Sequence, residues 1–99
     1  APEVMVGKHG WSHYRPSVDV YSFAMVMFEI ATLQLPYAQC DSMNMFEFNE
    51  YVIAGGRPEI TSYKIPRMYV DLMEKCWSAN PESRPNFSQV STSVSQMVL

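Results

Sequence analysis

The sequence predicts an all-α fold with about four main helices, and three observations support this class. First, no stretch from Ser17 onward alternates between apolar and polar residues with the two-residue period of a strand. Second, apolar residues recur at intervals of three and four, as the buried face of a helix requires. Third, Gly and Pro, which end helices, separate those segments. A chain of 99 residues with a hydrophobic fraction of 47% can form one small packed domain.

Residues 1–16 predict a loop with one helical turn after Pro2. They are rich in Gly, Pro, His and Ser and show no sustained period. His9 and His13 are four residues apart, a spacing that could bind a metal on a helix, but Gly10 between them disfavours a helix there. No third metal ligand is evident, so we predict a solvated loop.

The most informative segment is an apolar helix predicted from Ser17 to Leu33. Ser17 is placed to act as its N-cap, and Asp19 lies in the first turn, where a negative charge favours the helix dipole. Apolar residues cover nearly every face of this helix, so it must be enclosed by other elements. Three more helices from this sequence can cover only part of it. We therefore expect this helix to be the centre of a larger domain.

The same helix is not predicted to cross a membrane. Its apolar run from Val18 to Leu33 is shorter than the roughly 20 residues that a membrane span needs, and it carries Asp19 and Glu29. No signal peptide opens the chain, and the first residue is Ala1 rather than Met, which predicts a fragment or a processed product. We expect a buried helix in a cytoplasmic protein.

Three further helices are predicted downstream, each marked by a start or a stop pattern. The first spans 42–54 and ends at the pair Gly55-Gly56. The second begins at Pro66, a residue suited to the first helical position, and presents one apolar face. That face consists of Tyr69, Leu72, Met73 and Cys76.

The last helix is predicted to follow Asn86. Asn86 can cap it, with Gln89 three residues on as its partner in a capping box. The predicted inner face consists of Phe87, Val90, Val94, Met97 and Val98. The residues assigned to the core are Trp77, Phe87 and the eight methionines. The residues assigned to solvent are Lys8, Arg15 and Arg57.

Composition argues against several classes of partner. Seven Lys and Arg against ten Asp and Glu give a formal net charge of −3, so the chain offers no electrostatic footprint for DNA, RNA or anionic lipid. The two cysteines, Cys40 and Cys76, have no CxxC spacing and no His at a metal-binding interval, which favours reduced thiols over a disulfide. We therefore predict no nucleic-acid partner, no membrane contact and no metal site.

Six short motifs follow one another along the chain. They are Ala1-Pro2-Glu3, Asp19-Val20-Tyr21-Ser22-Phe23, Leu35-Pro36-Tyr37, Gly56-Arg57-Pro58, Cys76-Trp77 and Pro81-Glu82-Ser83-Arg84-Pro85-Asn86-Phe87. Each alone is weak, but their order and spacing over the whole chain resemble the protein kinase superfamily, from the tripeptide that closes the activation segment to the last helices. Ala24 departs from the family, which usually has glycine there; alanine favours the helix by roughly 1 kcal/mol.

The resemblance implies a fold, a domain and an activity. Residues 1–99 would be a partial protein kinase domain, the C-terminal helical part of the large lobe, acting as a structural and substrate-docking floor. The parent would transfer the γ-phosphate of ATP to Ser or Thr hydroxyls, with Tyr left open. Cys-Trp followed by N-P-x-x-R-P-x-F looks like the tyrosine kinase and tyrosine-kinase-like branch. The run from APEVM to SVDVYSF, with Tyr21, and the string IAGGRPEI look more like the tyrosine-kinase-like serine/threonine enzymes than true tyrosine kinases.

The family assigns supporting roles to residues that do not react. Glu3 and Arg84 match a buried ion pair that links the end of the activation segment to the last helices; the alternative is two unrelated surface charges. Asp19 matches an aspartate that accepts backbone hydrogen bonds from the catalytic loop, although the helix dipole alone would justify an acid there. Trp77 is assigned to structural support in the core.

The motifs that carry out phosphate transfer in this family are missing from the sequence. It contains no G-x-G-x-x-G loop, no H-R-D and no D-F-G. We therefore predict that this chain supplies no catalytic, cofactor-binding or metal-binding residue, and that the ATP and Mg²⁺ implied for the parent bind elsewhere. The expected partners are the upstream kinase domain of the same chain and a protein substrate.

Two other functions stay open from the sequence alone. The parent could be a pseudokinase, or a truncated lobe that acts only as a protein-interaction module. The ~60 residues before Ala1 distinguish these cases, because an active kinase carries its catalytic carboxylates there. The remaining alternative, an independent four-helix binding domain, is hard to reconcile with a central helix that is apolar on all sides.

Overall fold

A computed structural model describes residues 1–6 and 15–97, and all regular structure in these ranges is helical. The α-helices are α1 (Pro2–Val6), α2 (Pro16–Thr32), α3 (Met45–Ile53), α4 (Arg67–Cys76) and α5 (Phe87–Met97). Two short 3-10 helices span Ala38–Cys40 and Pro81–Ser83. The all-α class and the helical turn after Pro2 are therefore confirmed. The predicted loop around Lys8, His9 and His13, and the position of Val98, lie outside the described residues.

The longest helix, α2, begins at a proline and ends at a leucine in a left-handed conformation. Pro16 stands in the first turn, where the absence of its N–H costs nothing, and the residue before it, Arg15, is exposed and makes no side-chain cap. The prediction of Ser17 as N-cap is therefore wrong. Leu33 has a φ of 58°, and its N–H donates to the carbonyl of Glu29. Among the described helices, none combines the length and apolar character needed to cross a bilayer.

The core lies where α2, α4 and α5 meet. α2 packs against α4, and α4 packs against α5. The buried core residues are Val20, Tyr21, Ala24, Met27, Phe28, Leu72, Met73, Cys76, Trp77 and Val90. The predicted apolar face of α4 is confirmed, and its partly buried member Tyr69 donates a hydrogen bond of 2.6 Å from its hydroxyl to the carbonyl of Met27.

Several residues assigned to the core from composition lie at the surface instead. Met45, Met68 and Phe87 are exposed, so the assignment of all eight methionines and of Phe87 to the core is wrong. On α5, Val90 is buried whereas Val94 is exposed. The reason is that an apolar residue type does not determine burial; its position on the helix relative to a packed neighbour does.

α3 begins with a capping box that was not predicted from the sequence. The side chain of Asn44 accepts a hydrogen bond from the N–H of Glu47 at 2.8 Å, and the Glu47 carboxylate accepts one from the N–H of Asn44 at 3.1 Å. This capping box makes α3 begin at Met45, later than predicted. At α5, the capping box predicted for Asn86 and Gln89 is confirmed by the same pair of hydrogen bonds.

The predicted stop of α3 at two glycines is confirmed and has the geometry of a Schellman turn. The N–H of Gly55 donates to the carbonyl of Val52 at 3.0 Å, and the N–H of Gly56 donates to the carbonyl of Tyr51 at 2.7 Å. Gly55 has a φ of 110°, a conformation that other residues rarely adopt. A Cβ atom at Gly56 would overlap the Tyr51 ring. The two positions therefore require glycine for different reasons.

Gly56→Ala is expected to lower the free energy of unfolding by about 1–3 kcal/mol, because the added methyl group overlaps the Tyr51 ring. Denaturant unfolding of the protein that contains this chain measures the effect. In a Tyr51→Ala background the same substitution should cost less, since the ring that it meets is gone. An equal cost in both backgrounds would show that the overlap with Tyr51 is not its origin.

Candidate functional site

Glu3 and Arg84 are 81 positions apart in the sequence and lie against each other in the structure. Two parallel hydrogen bonds join them, from Arg84 Nη1 to Glu3 Oε2 at 2.7 Å and from Nη2 to Oε1 at 2.8 Å. This two-point contact uses the planar fork of arginine. The Arg84 side chain is 0% exposed and that of Glu3 is 21% exposed. The structure thus brings the two charges together in a largely buried pair and does not leave them as separate surface groups.

Arg84 also holds two stretches of backbone. Its Nε donates to the carbonyl of Ser78 at 2.9 Å, and its Nη1 donates to the carbonyl of Ser17 at 3.0 Å. One buried side chain therefore connects α1, the start of α2 and the turn after α4. Four of its five N–H groups are used in these contacts, so Arg84 has little capacity left to bind another anion.

The carboxyl group of Glu3 is ionised at neutral pH. Burial by itself would raise the pKa of Glu3, but the hydrogen bonds and the charge of Arg84 outweigh burial and hold the pKa below its ordinary value of 4.5. The contact with Arg84 is therefore an ion pair under physiological conditions.

A second arginine, Arg57, connects the ends of two helices. Its Nε donates to the carbonyl of Trp77 at 2.9 Å, and its Nη1 donates to the carbonyls of Val52 at 3.0 Å and Gly56 at 2.6 Å. The assignment of Arg57 to solvent is therefore wrong. The physical reason is that the last carbonyls of a helix lack partners within it and carry partial negative charge, so those at the ends of α3 and α4 bind the guanidinium.

Tyr21 is close to both of these arginines. The Cζ atom of Arg84 is 5.0 Å from the centroid of the Tyr21 ring and that of Arg57 is 5.3 Å away, both within the range of a cation–π interaction. The hydroxyl of Tyr21 is 2.9 Å from the hydroxyl of Tyr37. Burial, together with this hydrogen bond, raises the pKa of Tyr37, which keeps it neutral. We call Glu3, Tyr21, Arg57 and Arg84 the two-arginine cluster.

The remaining two predicted site residues differ in their relation to this cluster. Trp77 is buried, and its carbonyl accepts the hydrogen bond from Arg57. Asp19 lies in the first turn of α2 and is exposed, and no residue of the described ranges donates a hydrogen bond to its carboxylate. The structure therefore connects Trp77 to the cluster and places Asp19 at the surface.

Each of the six motifs places one residue in the two-arginine cluster or in direct contact with it. The contributing residues are Glu3, Tyr21, Tyr37, Arg57, Trp77 and Arg84. The order of the motifs in the sequence indicated the family but predicted only the pairing of Glu3 with Arg84. The presence of Tyr21 and Arg57 inside two other motifs was the available indication that these residues also belong to the site.

The two-arginine cluster connects elements of the fold through hydrogen bonds and an ion pair. In the described ranges, every buried side-chain nitrogen and oxygen has a hydrogen-bond partner. Cys40 and Cys76 are free and buried, and burial raises the pKa of Cys76 to about 11, so its thiol is protonated at neutral pH. No three His, Cys, Asp or Glu residues of the described ranges form a group able to hold a metal ion.

The chain matches the model of a known protein family. Residues 1–94 match the family model described as protein tyrosine and serine/threonine kinase. The chain belongs to this kinase family. The match includes α1 to α4, most of α5 and every residue of the two-arginine cluster.

Curated relatives of this kinase chain cover it almost completely. A probable serine/threonine-protein kinase of Dictyostelium discoideum is 41% identical over 98 residues, which are 99% of this chain and 6% of the relative. A dual specificity protein kinase of the same organism is 37% identical over 90 residues, or 91% of this chain and 11% of the relative. A serine/threonine-protein kinase of Arabidopsis thaliana is 34% identical over 98 residues, or 99% and 16%. The chain spans only a small part of the length of each relative.

Proposed function

We propose that residues 1–99 are the C-terminal helical part of the large lobe of a protein kinase domain, from the end of the activation segment to the last helices. The observation that carries this proposal is the convergence of all six motifs on the two-arginine cluster. The cluster ties the Ala1-Pro2-Glu3 segment to three helices beneath it. Such rigidity serves catalysis, because misplacing a reacting group by about 1 Å can cost about 10²-fold in rate.

One side of α2 is apolar and exposed, which supports the proposal that this chain is part of a larger domain. Val26 is 52% exposed and Ile30 is 66% exposed, although the opposite side of the same helix is buried. Removing a large apolar side chain from water stabilises a fold by about 1.5–3 kcal/mol. A helix that exposes such side chains is therefore more stable when further polypeptide packs against it. We infer that the upstream part of the same protein covers this side. ATP and Mg²⁺ would bind in that part, whose residues carry the chemistry.

The activity we propose for the whole protein is transfer of the γ-phosphate of ATP to Ser or Thr hydroxyls of proteins, in the cytoplasm. Two of the relatives above carry serine/threonine kinase names, which supports this acceptor. The place in the tyrosine-kinase-like branch that we propose rests on Cys76-Trp77 and the N-P-x-x-R-P-x-F run that follows it. The dual specificity relative makes tyrosine the acceptor to compare.

Three peptides that differ only in carrying Ser, Thr or Tyr test this activity. The whole protein should transfer phosphate from labelled ATP with Mg²⁺ to the Ser or Thr peptide. Phosphate transfer to Tyr alone would contradict the acceptor class. A folded protein that transfers phosphate to none of the peptides would favour the pseudokinase or interaction-module alternative.

Asp19→Asn separates a role in supporting the active site from a role in the helix dipole. We propose that Asp19 accepts backbone hydrogen bonds from the catalytic loop, so its replacement should lower kcat on the order of tenfold or more. The helix dipole alone predicts a loss of about 0.3–1 kcal/mol in stability and no loss of turnover. Glu74→Gln, at an exposed acid of α4, is the control and should leave kcat unchanged. Equal turnover of wild type and Asp19→Asn would remove the supporting role.

A further inference from the structure

The connection between α3 and α4 contains a tight turn that one carboxylate closes. The N–H of Tyr63 donates to the carbonyl of Ile60 at 3.1 Å, and the two residues between them, Thr61 and Ser62, form the tip of the turn. The carboxylate of Glu59 accepts a hydrogen bond from the Thr61 hydroxyl. It accepts two more from Ser62, from the N–H at 3.0 Å and from the hydroxyl at 3.1 Å. We call these five residues the Glu59 turn.

The two hydroxyls of the Glu59 turn are exposed and share a charged partner. Thr61 and Ser62 both lie at the surface, outside any helix. In the described ranges no other Ser or Thr hydroxyl donates to a carboxylate, and those of Thr32 and Thr92 donate to backbone carbonyls four residues earlier. The hydrogen bonds from Thr61 and Ser62 hold the pKa of Glu59 below its ordinary value of 4.5, so Glu59 is an anion at neutral pH.

We propose that Ser62 is a phosphorylation site and that its phosphate opens the Glu59 turn. The reaction is transfer of the γ-phosphoryl group of ATP. A bond forms between the γ-phosphorus and Ser62 Oγ, and the bond from that phosphorus to the leaving oxygen of ADP breaks. The hydroxyl proton passes to a base of the kinase that catalyses the transfer. The inference goes beyond the proposed function, because it makes this chain a substrate whichever kinase modifies it.

Phosphorylation reverses the sign of the contact between Ser62 and Glu59. The unmodified hydroxyl donates a hydrogen bond to the carboxylate, whereas a phosphoserine carries a charge of about −1.5 to −2 at neutral pH and presents acceptor oxygens. No Lys or Arg of the described ranges forms an ion pair with Glu59, so no such pair offsets the repulsion between the two anions. Ser62 is favoured over Thr61 because both its N–H and its hydroxyl bind Glu59.

Opening the Glu59 turn would loosen two side chains that pack on the core. Ile60 is partly buried against the core residues, and the Tyr63 ring meets the Phe28 ring edge-on at a centroid distance of 6.2 Å. Phe28 is a buried residue of α2. A charge added at the surface of the connection would therefore weaken packing against the longest helix of the chain.

Phosphopeptide mapping by mass spectrometry tests the site. We expect phosphate on Ser62 in the whole protein, isolated from its own cells with phosphatases inhibited. Phosphate that also appears when the purified, dephosphorylated protein is incubated with ATP and Mg²⁺ would identify the protein itself as the kinase. Phosphate that appears only in the cells would identify another kinase. Absence of phosphate from Ser62 in both samples, or phosphate on Thr61 alone, would overturn the proposal.

Amide exchange in the whole protein tests the opening of the turn. With phosphoserine incorporated at position 62 during synthesis, exchange at the N–H groups of Ser62 and Tyr63 should be about tenfold faster or more, since like charges a few ångströms apart repel even in water. In a Glu59→Gln background the same phosphoserine should accelerate exchange much less, because the neutral amide removes the repulsion. Equal acceleration in both backgrounds, or slower exchange, would overturn the proposal.

Two controls separate the repulsion from other effects of the change. Ser62→Ala removes only the hydrogen bond of the hydroxyl, so it should accelerate exchange less than the phosphoserine does. Phosphoserine incorporated at position 91, where Ser91 is exposed on α5, should leave exchange in the Glu59 turn unchanged. An equal effect of either control would contradict the role of Glu59. None of these exchange measurements requires the protein to transfer phosphate, so they are independent of the proposed activity.

Discussion

Replacement of Glu3 by alanine in the whole protein is expected to lower the free energy of unfolding by about 3 kcal/mol and to reduce turnover. Removing one partner of a buried ion pair typically costs about 3–5 kcal/mol, because the other charge stays buried alone. Arg84 is completely buried, whereas Glu3 keeps 21% exposure, which places the effect at the lower end of that range. Chemical denaturation and a steady-state phosphate-transfer assay measure the two quantities. Unchanged unfolding and an unchanged rate would refute the importance of the pair.

Two variants control for the removal of charge and of side-chain volume. Glu3→Gln retains the shape and one acceptor oxygen but not the charge, so it should lie between wild type and Glu3→Ala. Asp71→Ala breaks the exposed pair with Arg67, whose atoms lie 3.3 Å apart, and should change stability by less than about 0.5 kcal/mol. A comparable loss in Asp71→Ala would mean that burial of Arg84 does not determine the cost.

The stabilisation by Glu3 should also depend on pH with a definite sign. The pKa of Glu3 is lowered in the folded protein, so the ion pair contributes fully above the ordinary value of 4.5. As the pH falls below 4.5 and through the folded pKa, the carboxylate takes up a proton and the contribution is lost. The difference in stability between wild type and Glu3→Gln should therefore shrink on the acid side.

Local patterns predicted the helices well because each rests on a short-range rule. The face of α4, the capping box at Asn86 and the glycine stop of α3 involve residues within one or two turns, and all three are confirmed. The periodic pattern could not decide which of two apolar faces of α3 is covered. Phe48 and Phe46 are equally apolar, and only packing against Tyr37 distinguishes them.

Long-range contacts of the candidate site were predictable only through the order of the motifs. Nothing local links Glu3 to Arg84, and the pairing came from the resemblance of the motifs to a family. The contacts of Arg57 were not predicted, because the sequence does not show which helix ends lie close to a given charged residue. Its position depends on the carbonyls of α3 and α4 meeting in space, which is a tertiary property. Asp19 is exposed in the described residues, and its supporting role stays a prediction.

Arg57→Ala is expected to lower the free energy of unfolding of the whole protein by about 3 kcal/mol or more. The same substitution at an arginine exposed on the surface would cost almost nothing. The substitution removes a charged donor from three carbonyls and one cation from the Tyr21 ring. Each hydrogen bond to a charged group contributes about 1.5–3 kcal/mol, and bonds that share one donor do not add fully.

Comparison with lysine and with an exposed arginine makes this expectation specific. Arg57→Lys keeps the positive charge but loses the planar fork, so it should recover only part of the stability. Arg67→Ala, at a side chain that is 87% exposed, should change stability by less than about 0.5 kcal/mol. Amide exchange in Arg57→Ala should accelerate first at Gly55 and Gly56, because the turn they form loses its guanidinium contact at Gly56. If Arg57→Lys matched wild type in both stability and amide exchange, the positive charge alone would account for the role of Arg57. The hydrogen bonds of its planar guanidinium group would then be unnecessary.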